Sequence, residues 1–303
     1  MWTWAKQGLV IEPRGQAPWV GTHAALPVIH EADGLQRVYF SSRDAGNRAH
    51  IGFATLRLDA PVPPAAWAAA PVLSPGPLGA FDDSGVTTSC LVPHDGRLFL
   101  YYTGWALGVT VPFYLQAGLA VSDDGGLSFR RLSTAPLLER IDVDPYLSAS
   151  PWVLVDNGVW RMWYVSGTRW ETAAGGPRHH YHIKYAESVD GRRWTRQGLV
   201  CLDHASADEH AFGRPCVVKD GDRYRMWYSY RGARYRVGYA ESADGLRWTR
   251  RDEDHVIQAS AEGWDSEMVT YPVVAGPPGR RVMLYNGNGF GRTGIGLATE
   301  SAA

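Results

Sequence analysis

One run of residues occurs five times along this chain. Arg37-Val-Tyr-Phe-Ser-Ser, Arg97-Leu-Phe-Leu-Tyr-Tyr-Thr-Gly, Arg161-Met-Trp-Tyr-Val-Ser-Gly, Arg225-Met-Trp-Tyr-Ser-Tyr and Arg281-Val-Met-Leu-Tyr-Asn-Gly are versions of one strand-like pattern. They stand about 55 to 65 residues apart, and self-similarity at a long period marks an array of supersecondary units. A second run follows each: Ile51-Gly-Phe-Ala, Ala117-Gly-Leu-Ala, Ile183-Lys-Tyr-Ala, Val237-Gly-Tyr-Ala and Ile295-Gly-Leu-Ala. Three copies continue into a common turn: Ser122-Asp-Asp-Gly-Gly-Leu-Ser-Phe129, Ser188-Val-Asp-Gly-Arg-Arg-Trp194 and Ser242-Ala-Asp-Gly-Leu-Arg-Trp248. Ser and Asp in such turns bond the turn amides.

The stretch from Ala211 to Thr249 is the most regular copy. A short apolar run around Val217 and Val218 meets Asp220-Gly221-Asp222, a hairpin signal, before the aromatic run of Tyr224 to Tyr230. A third run, Tyr235 to Glu241, and a turn to Trp248 complete a four-stranded meander. With 34 Gly, 19 Pro, 13 Trp and 15 Tyr, the composition suits strands and turns, because helix interiors exclude Gly and Pro. The expected fold is all-β, a five-bladed β-propeller forming a single domain over residues 1–303. The expected blades are residues 18–75, 80–140, 144–203, 208–258, and 264–299 together with 2–10. The fifth copy lacks an outer strand, and Trp4-Ala-Lys-Gln-Gly-Leu-Val10 matches Trp194-Thr-Arg-Gln-Gly-Leu-Val200. The N-terminal strand is therefore expected to complete the last blade and remove an open edge. The Pro- and Ala-rich stretch from Pro61 to Pro77 is the least repeat-like, and is expected at the edge of blade one.

Net charge is −1, which argues against nucleic acid or an anionic membrane as partner. No apolar run reaches the roughly 18 residues of a membrane span. The start, Met1-Trp-Thr-Trp-Ala-Lys, lacks the features of a secretory signal. Cys90, Cys201 and Cys216 are too few for a disulfide framework and fit a reducing compartment. A cytoplasmic protein is expected. No sequence feature speaks to its oligomeric state.

In a propeller the loops entering the inner strands and those joining second to third strands open on one central funnel. The entries here are polar: His23 in the first, Asp82 and Asp83 in the second, Asp142 and Asp144 in the third, Asp208, Glu209, His210 and Arg214 in the fourth, Asp265 and Glu267 in the fifth. Asp83, Asp144, Glu209 and Glu267 are the candidate catalytic carboxylates; Asp82, Asp142, Asp208 and Asp265 are expected to make turns. Crowded carboxylates push one another's pKa values apart, and glycosidic bond cleavage needs one acid and one base or nucleophile. Arg43, Trp105, Arg169, Trp170, Arg231 and Asn288 lie on the second set of loops, with His179 and His180 close by. Aromatic faces stack on sugars, Asn pairs with hydroxyls, and guanidinium suits phosphate or carboxylate. His23, His210 and Arg214 are expected to orient the ligand. No compact metal motif is present and no cofactor is called for; a divalent metal on His23 and His210 is the competing use of those two residues.

The Met-Trp-Tyr and Ala-Glu-Ser-x-Asp-Gly-x-x-Trp repeats resemble the five-bladed propellers of the arabinanase, invertase and levansucrase clan and the related mannoside phosphorylases. The resemblance spans the whole sequence. Invertase-like enzymes carry an Asp nucleophile in the first blade, an Asp in Arg-Asp-Pro in the second and a Glu acid in the third. Here His23 stands where the first Asp is expected, Asp144-Pro145 resembles the Asp-Pro of the stabiliser, and Glu267 precedes Met268 and, further on, Pro272. The resemblance implies a carbohydrate-active enzyme of glycoside hydrolase type that cleaves or transfers a glycosidic bond of a small sugar conjugate; the clustered arginines point to an anionic one, the alternative being that they only neutralise the carboxylates and bind nothing. Glu209 or Glu267 would be the acid, Asp83 the base or nucleophile, and Asp144 the stabiliser. The alternatives are a non-catalytic sugar-binding propeller, and a metal-dependent lyase, isomerase or hydrolase built on His23 and His210.

Overall fold

A computed structural model of the protein describes residues 2–32, 34–59 and 64–302. Met1 and residues 61–63 of the Pro- and Ala-rich stretch lie outside the described residues. The architecture is nearly all-β, with a short helix, α1 (Asn288–Gly291), among the described residues. Strand β1 (Trp2–Ile11) is followed by β2 (Ala25–Ala32), β3 (Leu35–Arg43), β4 (Ala49–Leu56) and β5 (Ala66–Trp67); β2 to β5 pair antiparallel in that order. The second unit is β6 (Gly85–His94), β7 (Arg97–Leu107), β8 (Phe113–Ser122) and β9 (Arg130–Arg131). The third is β10 (Ser148–Asp156), β11 (Val159–Ala173), β12 (Gly176–Ser188) and β13 (Val200–Leu202). The fourth is β14 (Ala211–Asp220), β15 (Arg223–Arg231), β16 (Tyr235–Ser242) and β17 (Thr249–Arg250). In the fifth, β18 (Thr270–Ala275), β19 (Val282–Asn286) and β20 (Ile295–Ala302) are completed by β1, which pairs along β20. The first strands of the units touch in cyclic order, β2 to β6, β10, β14, β18 and back to β2.

Three repeated devices hold neighbouring parts together. The first is the Ser-x-Asp-Gly turn. The Ser188 hydroxyl accepts from the amides of Asp190 and Gly191, and the Asp190 carboxylate accepts from Arg192 and Arg193. Each such turn also receives a side chain from the preceding unit: Tyr39 donates to the Gly126 carbonyl, Tyr101 to Gly191 and Trp163 to Gly245, at 2.7–2.8 Å. Gly126 has φ +91, and a Cβ there would lie 2.2 Å from the Tyr39 hydroxyl, so only glycine fits.

The second device is a tyrosine–carboxylate–cation clamp. Tyr102 and Arg131 both bond Asp82, Tyr164 and Arg196 bond Asp144, Tyr228 and Arg250 bond Asp252, and Tyr285 and Lys6 bond Asp265. The cation comes two residues after the outer aromatic of each repeat, as in Trp194-Thr-Arg196 and Trp4-Ala-Lys6. Each clamp ties the outer strand to the second strand through a buried or partly buried acid. Unit one has Phe40 at the tyrosine position, packed on Trp19 at 5.1 Å.

The third device sits at the centre. At the position after the clamp tyrosine, or after Phe40 in unit one, a side-chain oxygen in four of the units accepts from an inner-strand amide of the next unit. Ser41 accepts from Thr88, Thr103 from Ser150, Ser229 from Tyr271 and Asn286 from Leu26, at 2.7–3.1 Å. The corresponding residue of unit three is Val165, which has no such acceptor. The large aromatics Trp163, Trp227, Tyr101 and Tyr164 are fully buried between units and form the core. Cys90, Cys201 and Cys216 are buried free thiols within it. Among the described residues no helix is long and apolar enough to cross a membrane.

Candidate functional site

The inner strands leave a cavity of about 370 Å³ at the end where they begin. Its floor is formed by residues that precede prolines. Leu26, Ser150 and Tyr271 have φ of 53, 50 and 52, each beside a break in register between the first and second strands. Left-handed backbone at a non-glycine residue costs energy and persists only where the surroundings over-determine it. Here the interunit bonds to Asn286, Thr103 and Ser229 supply that constraint. The resulting bulges aim all three side chains into the cavity.

The fourth unit has Arg214 at the same pre-proline position, and its side chain goes elsewhere. It is 0% exposed and donates to the carbonyls of Pro27, Tyr271 and Pro272, bridging the inner strands of units one, four and five. It has no carboxylate partner among the described residues, and burial lowers its pKa to about 10. Arg214 is a structural bridge, which corrects its expected place among the ligand-orienting groups: its donors are spent on backbone oxygens.

His23, Arg43, Trp105 and Arg231 line the cavity, joined by His179, Asn47 and the phenols Tyr181, Tyr235 and Tyr271. Trp105 lies against Gly85, where a Cβ would meet its indole at 2.1 Å. The Arg43 guanidinium sits 5.7 Å from the Trp105 ring and donates to Asn47 at 3.0 Å. Arg231 stands over Tyr235 at 5.4 Å. His23 shares a 2.8 Å hydrogen bond with Thr22. Burial, reinforced by Arg43 and Arg292, lowers its pKa to about 4. Burial, with His210, Arg231 and His180 adding to it, lowers that of His179 to about 4. Both imidazoles are thus neutral near pH 7, and the two guanidiniums carry the charge of the lining. Burial raises the pKa of Tyr235 to about 12, keeping it a neutral donor. The Tyr181 hydroxyl is buried without a hydrogen-bond partner among the described residues.

No carboxylate lines this cavity among the described residues. The four candidate acids do not share one structural position: Asp144 is equivalent to Asp82 and Asp265, whereas Asp83 and Glu267 come one and two residues after those clamp acids. Asp144 is 1% exposed and takes bonds from Tyr164, Ser166, Lys184 and Arg196. Glu209 is paired with Arg250, which also holds Asp252. Asp83 accepts from the Gly79 amide and the Ser84 hydroxyl and borders a second hollow that shares Asn47, Trp105 and Leu107 with the cavity. Glu267 is exposed at the rim, where its amide donates to Asn288.

The remaining expected binding residues are not among those that line the cavity. Arg169 is exposed and meets Glu171 at 3.5 Å. Trp170 packs on Phe113 at 5.4 Å, and Asn288 ties Glu267 and Met268 to the Gly263 carbonyl. His210 is buried beside His179 and His180, at ring distances of 6.0 and 6.1 Å. Among the described residues no group of three or more His, Cys, Asp or Glu is placed to hold a metal ion. The three phenols were not singled out from sequence; the Tyr271-Pro272 pair, matching Leu26-Pro27 and Ser150-Pro151, was the available signal.

The fold is that of the propeller glycoside hydrolases. A solved complex of BT0996 with RGII superposes with a TM-score of 0.78 at 19% identity, covering 98% of this chain and 91% of its counterpart. A thermostable family-43 glycoside hydrolase gives 0.64 at 14% identity, covering 92% and 88%. No family model matches the sequence. The uncharacterized proteins MT1551 and Rv1502 of Mycobacterium tuberculosis (strains CDC 1551 / Oshkosh and ATCC 25618 / H37Rv) are each 43% identical over 296 residues, covering 97% of this chain and 98% of theirs. The protein therefore belongs to the family of these two mycobacterial proteins.

Proposed function

We propose that residues 1–303 form a single five-bladed β-propeller that binds an anionic carbohydrate in its axial cavity. The observation that carries this is the pairing of Arg43 and Arg231 with Trp105 and three phenols, with no carboxylate among the described lining residues. Guanidinium forks suit a carboxylate or phosphate, and the aromatic faces and phenol donors suit a sugar ring and its hydroxyls. The fold shared with glycoside hydrolases supports a carbohydrate ligand. A cytoplasmic location completes the proposal and fits the three buried free thiols.

Glycosidic bond cleavage is the second reading. Its support is that Asp83 and Glu267, unlike Asp144 and Glu209, are in no ion pair among the described residues. In it Asp83 is base or nucleophile and Glu267 the acid, with a sugar extending from the cavity past Trp105. Asp144 and Glu209 then serve the scaffold.

The test is a thermal-shift and calorimetric panel of glucuronate, galacturonate, hexose 6-phosphates and their neutral parents, since a ligand that binds only the folded state raises its melting temperature. Binding of acidic sugars alone, lost in Arg43→Met, supports the proposal; equal response to neutral sugars overturns the anionic assignment. Turnover of nitrophenyl glycosides, abolished by Asp83→Asn or Glu267→Gln, would establish cleavage.

A further inference from the structure

The β7–β8 hairpin differs from every other loop at the cavity mouth. From Leu98 to Ser122 no residue is ionisable apart from the phenols of Tyr101, Tyr102 and Tyr114. The corresponding hairpins of the other units carry Arg43 and Arg48, Arg169 and Arg178, Arg231 and Arg234, and Arg292. Phe113 and Leu115 line the cavity wall, Leu107 lines it and is 70% exposed, and Val109 beyond it is 102% exposed. Leu78, 99% exposed, faces the hollow that Leu107 and Trp105 also line. An apolar track therefore runs along this hairpin from inside the cavity to solvent, with Arg43 packed beside it on Trp105 and Arg48 and Asp83 sharing the outer hollow.

We propose that the natural ligand is amphiphilic: an anionic sugar whose anomeric substituent is an alkyl or aryl group, with the β7–β8 hairpin as the subsite for that group. The inference rests on the reading of the cavity as an anionic-sugar site. Continuity with the cavity decides the occupant. A second copy of the protein would need an interface of roughly 1,000 Å², far more than Leu78, Leu107 and Val109 can cover. A membrane would also have to meet the ion-paired side chains of the neighbouring hairpins, Arg48 with Asp44 and Arg178 with Glu171. Fully exposed Leu and Val side chains gain most from a ligand that covers them, because the apolar surface is removed from water.

Calorimetry with methyl and octyl β-D-glucuronide, the latter below its micellar concentration, tests this. The octyl glucuronide is expected to bind at least 30-fold more tightly. The double variant Leu78→Ser, Val109→Ser is expected to cut that preference to under 5-fold while leaving the methyl glucuronide within 2-fold. Equal affinity for the two glucuronides overturns the inference and leaves the sugar site standing. Failure of both to bind overturns the sugar site with it. A preference unchanged in the double variant overturns the assignment to this hairpin. Sedimentation with phosphatidylcholine–phosphatidylglycerol vesicles, or dimerisation, lost in the double variant without any alkyl-length preference, would make the hairpin a membrane or self-contact and overturn it too.

Discussion

Tyr164 donates to Asp144 at 2.9 Å, and Arg196 meets the same carboxylate oxygen at 3.0 Å. This one relationship moves Asp144 from the ligand site to the scaffold. Its second oxygen takes Ser166 and Lys184, so no lone pair is left for a sugar. Tyr164→Phe is expected to destabilise the fold by about 1–2 kcal/mol. Asp144→Asn leaves the buried Lys184 without its counter-charge, while Arg196 keeps Glu139 at 2.9 Å, and is expected to cost about 3–5 kcal/mol. Urea denaturation checks both, and sugar affinity of the folded fraction should not change.

Arg43 and Arg231 are expected to act on charge recognition alone. Arg43→Met or Arg231→Met should weaken binding of an acidic sugar by about tenfold or more, since charge-assisted bonds are about twice as strong as neutral ones. Binding of the neutral parent should be little changed. Raising salt should weaken the acidic sugar in the wild type and do so less in the variants. Titration at two ionic strengths separates these outcomes.

Stability should depend on pH through the buried histidines. His23, His179 and His182 each have a folded-state pKa of about 4 against an ordinary 6.5, burial being the largest cause in each. Between those values the unfolded chain takes up protons that the folded chain refuses, so stability is fully present above about pH 6.5 and falls as pH drops toward 4. Urea midpoints measured from pH 4 to 8 should show this slope, and His182→Gln should make it shallower.

Arg214→Met should destabilise by about 2–4 kcal/mol, because three buried carbonyls lose their donors. Arg214→Lys should rescue little, since an ammonium cannot reproduce the planar fork that spans Pro27, Tyr271 and Pro272. Thermal denaturation of the three proteins gives the answer.

Without β1, β20 would be an open edge. A variant lacking residues 1–11 should aggregate or lose cooperative unfolding, which size-exclusion chromatography and circular dichroism would reveal. Added as a separate peptide, the strand should restore part of the signal.

The strand order of each unit, the Ser-x-Asp-Gly turns and the N-terminal partner of β20 were legible in the residues themselves. Those features are local, or repeat at fixed offsets, and a pattern of alternating burial and turn chemistry survives translation along the sequence. Arg43, Trp105, His23 and Arg231 reached the cavity because the loops that carry them open on one end of the inner strands. The carboxylates did not follow. Asp82 and Asp83 are neighbours in sequence, yet one is clamped by Tyr102 and Arg131 and the other stands beside a hollow at the rim. Likewise Leu26, Ser150, Arg214 and Tyr271 share a pre-proline position, and three face the cavity while the fourth bridges inner strands. Only the tertiary structure could decide this, because a single-residue offset in a loop exchanges a buried partner for solvent, and which partner waits there is set by another unit of the fold.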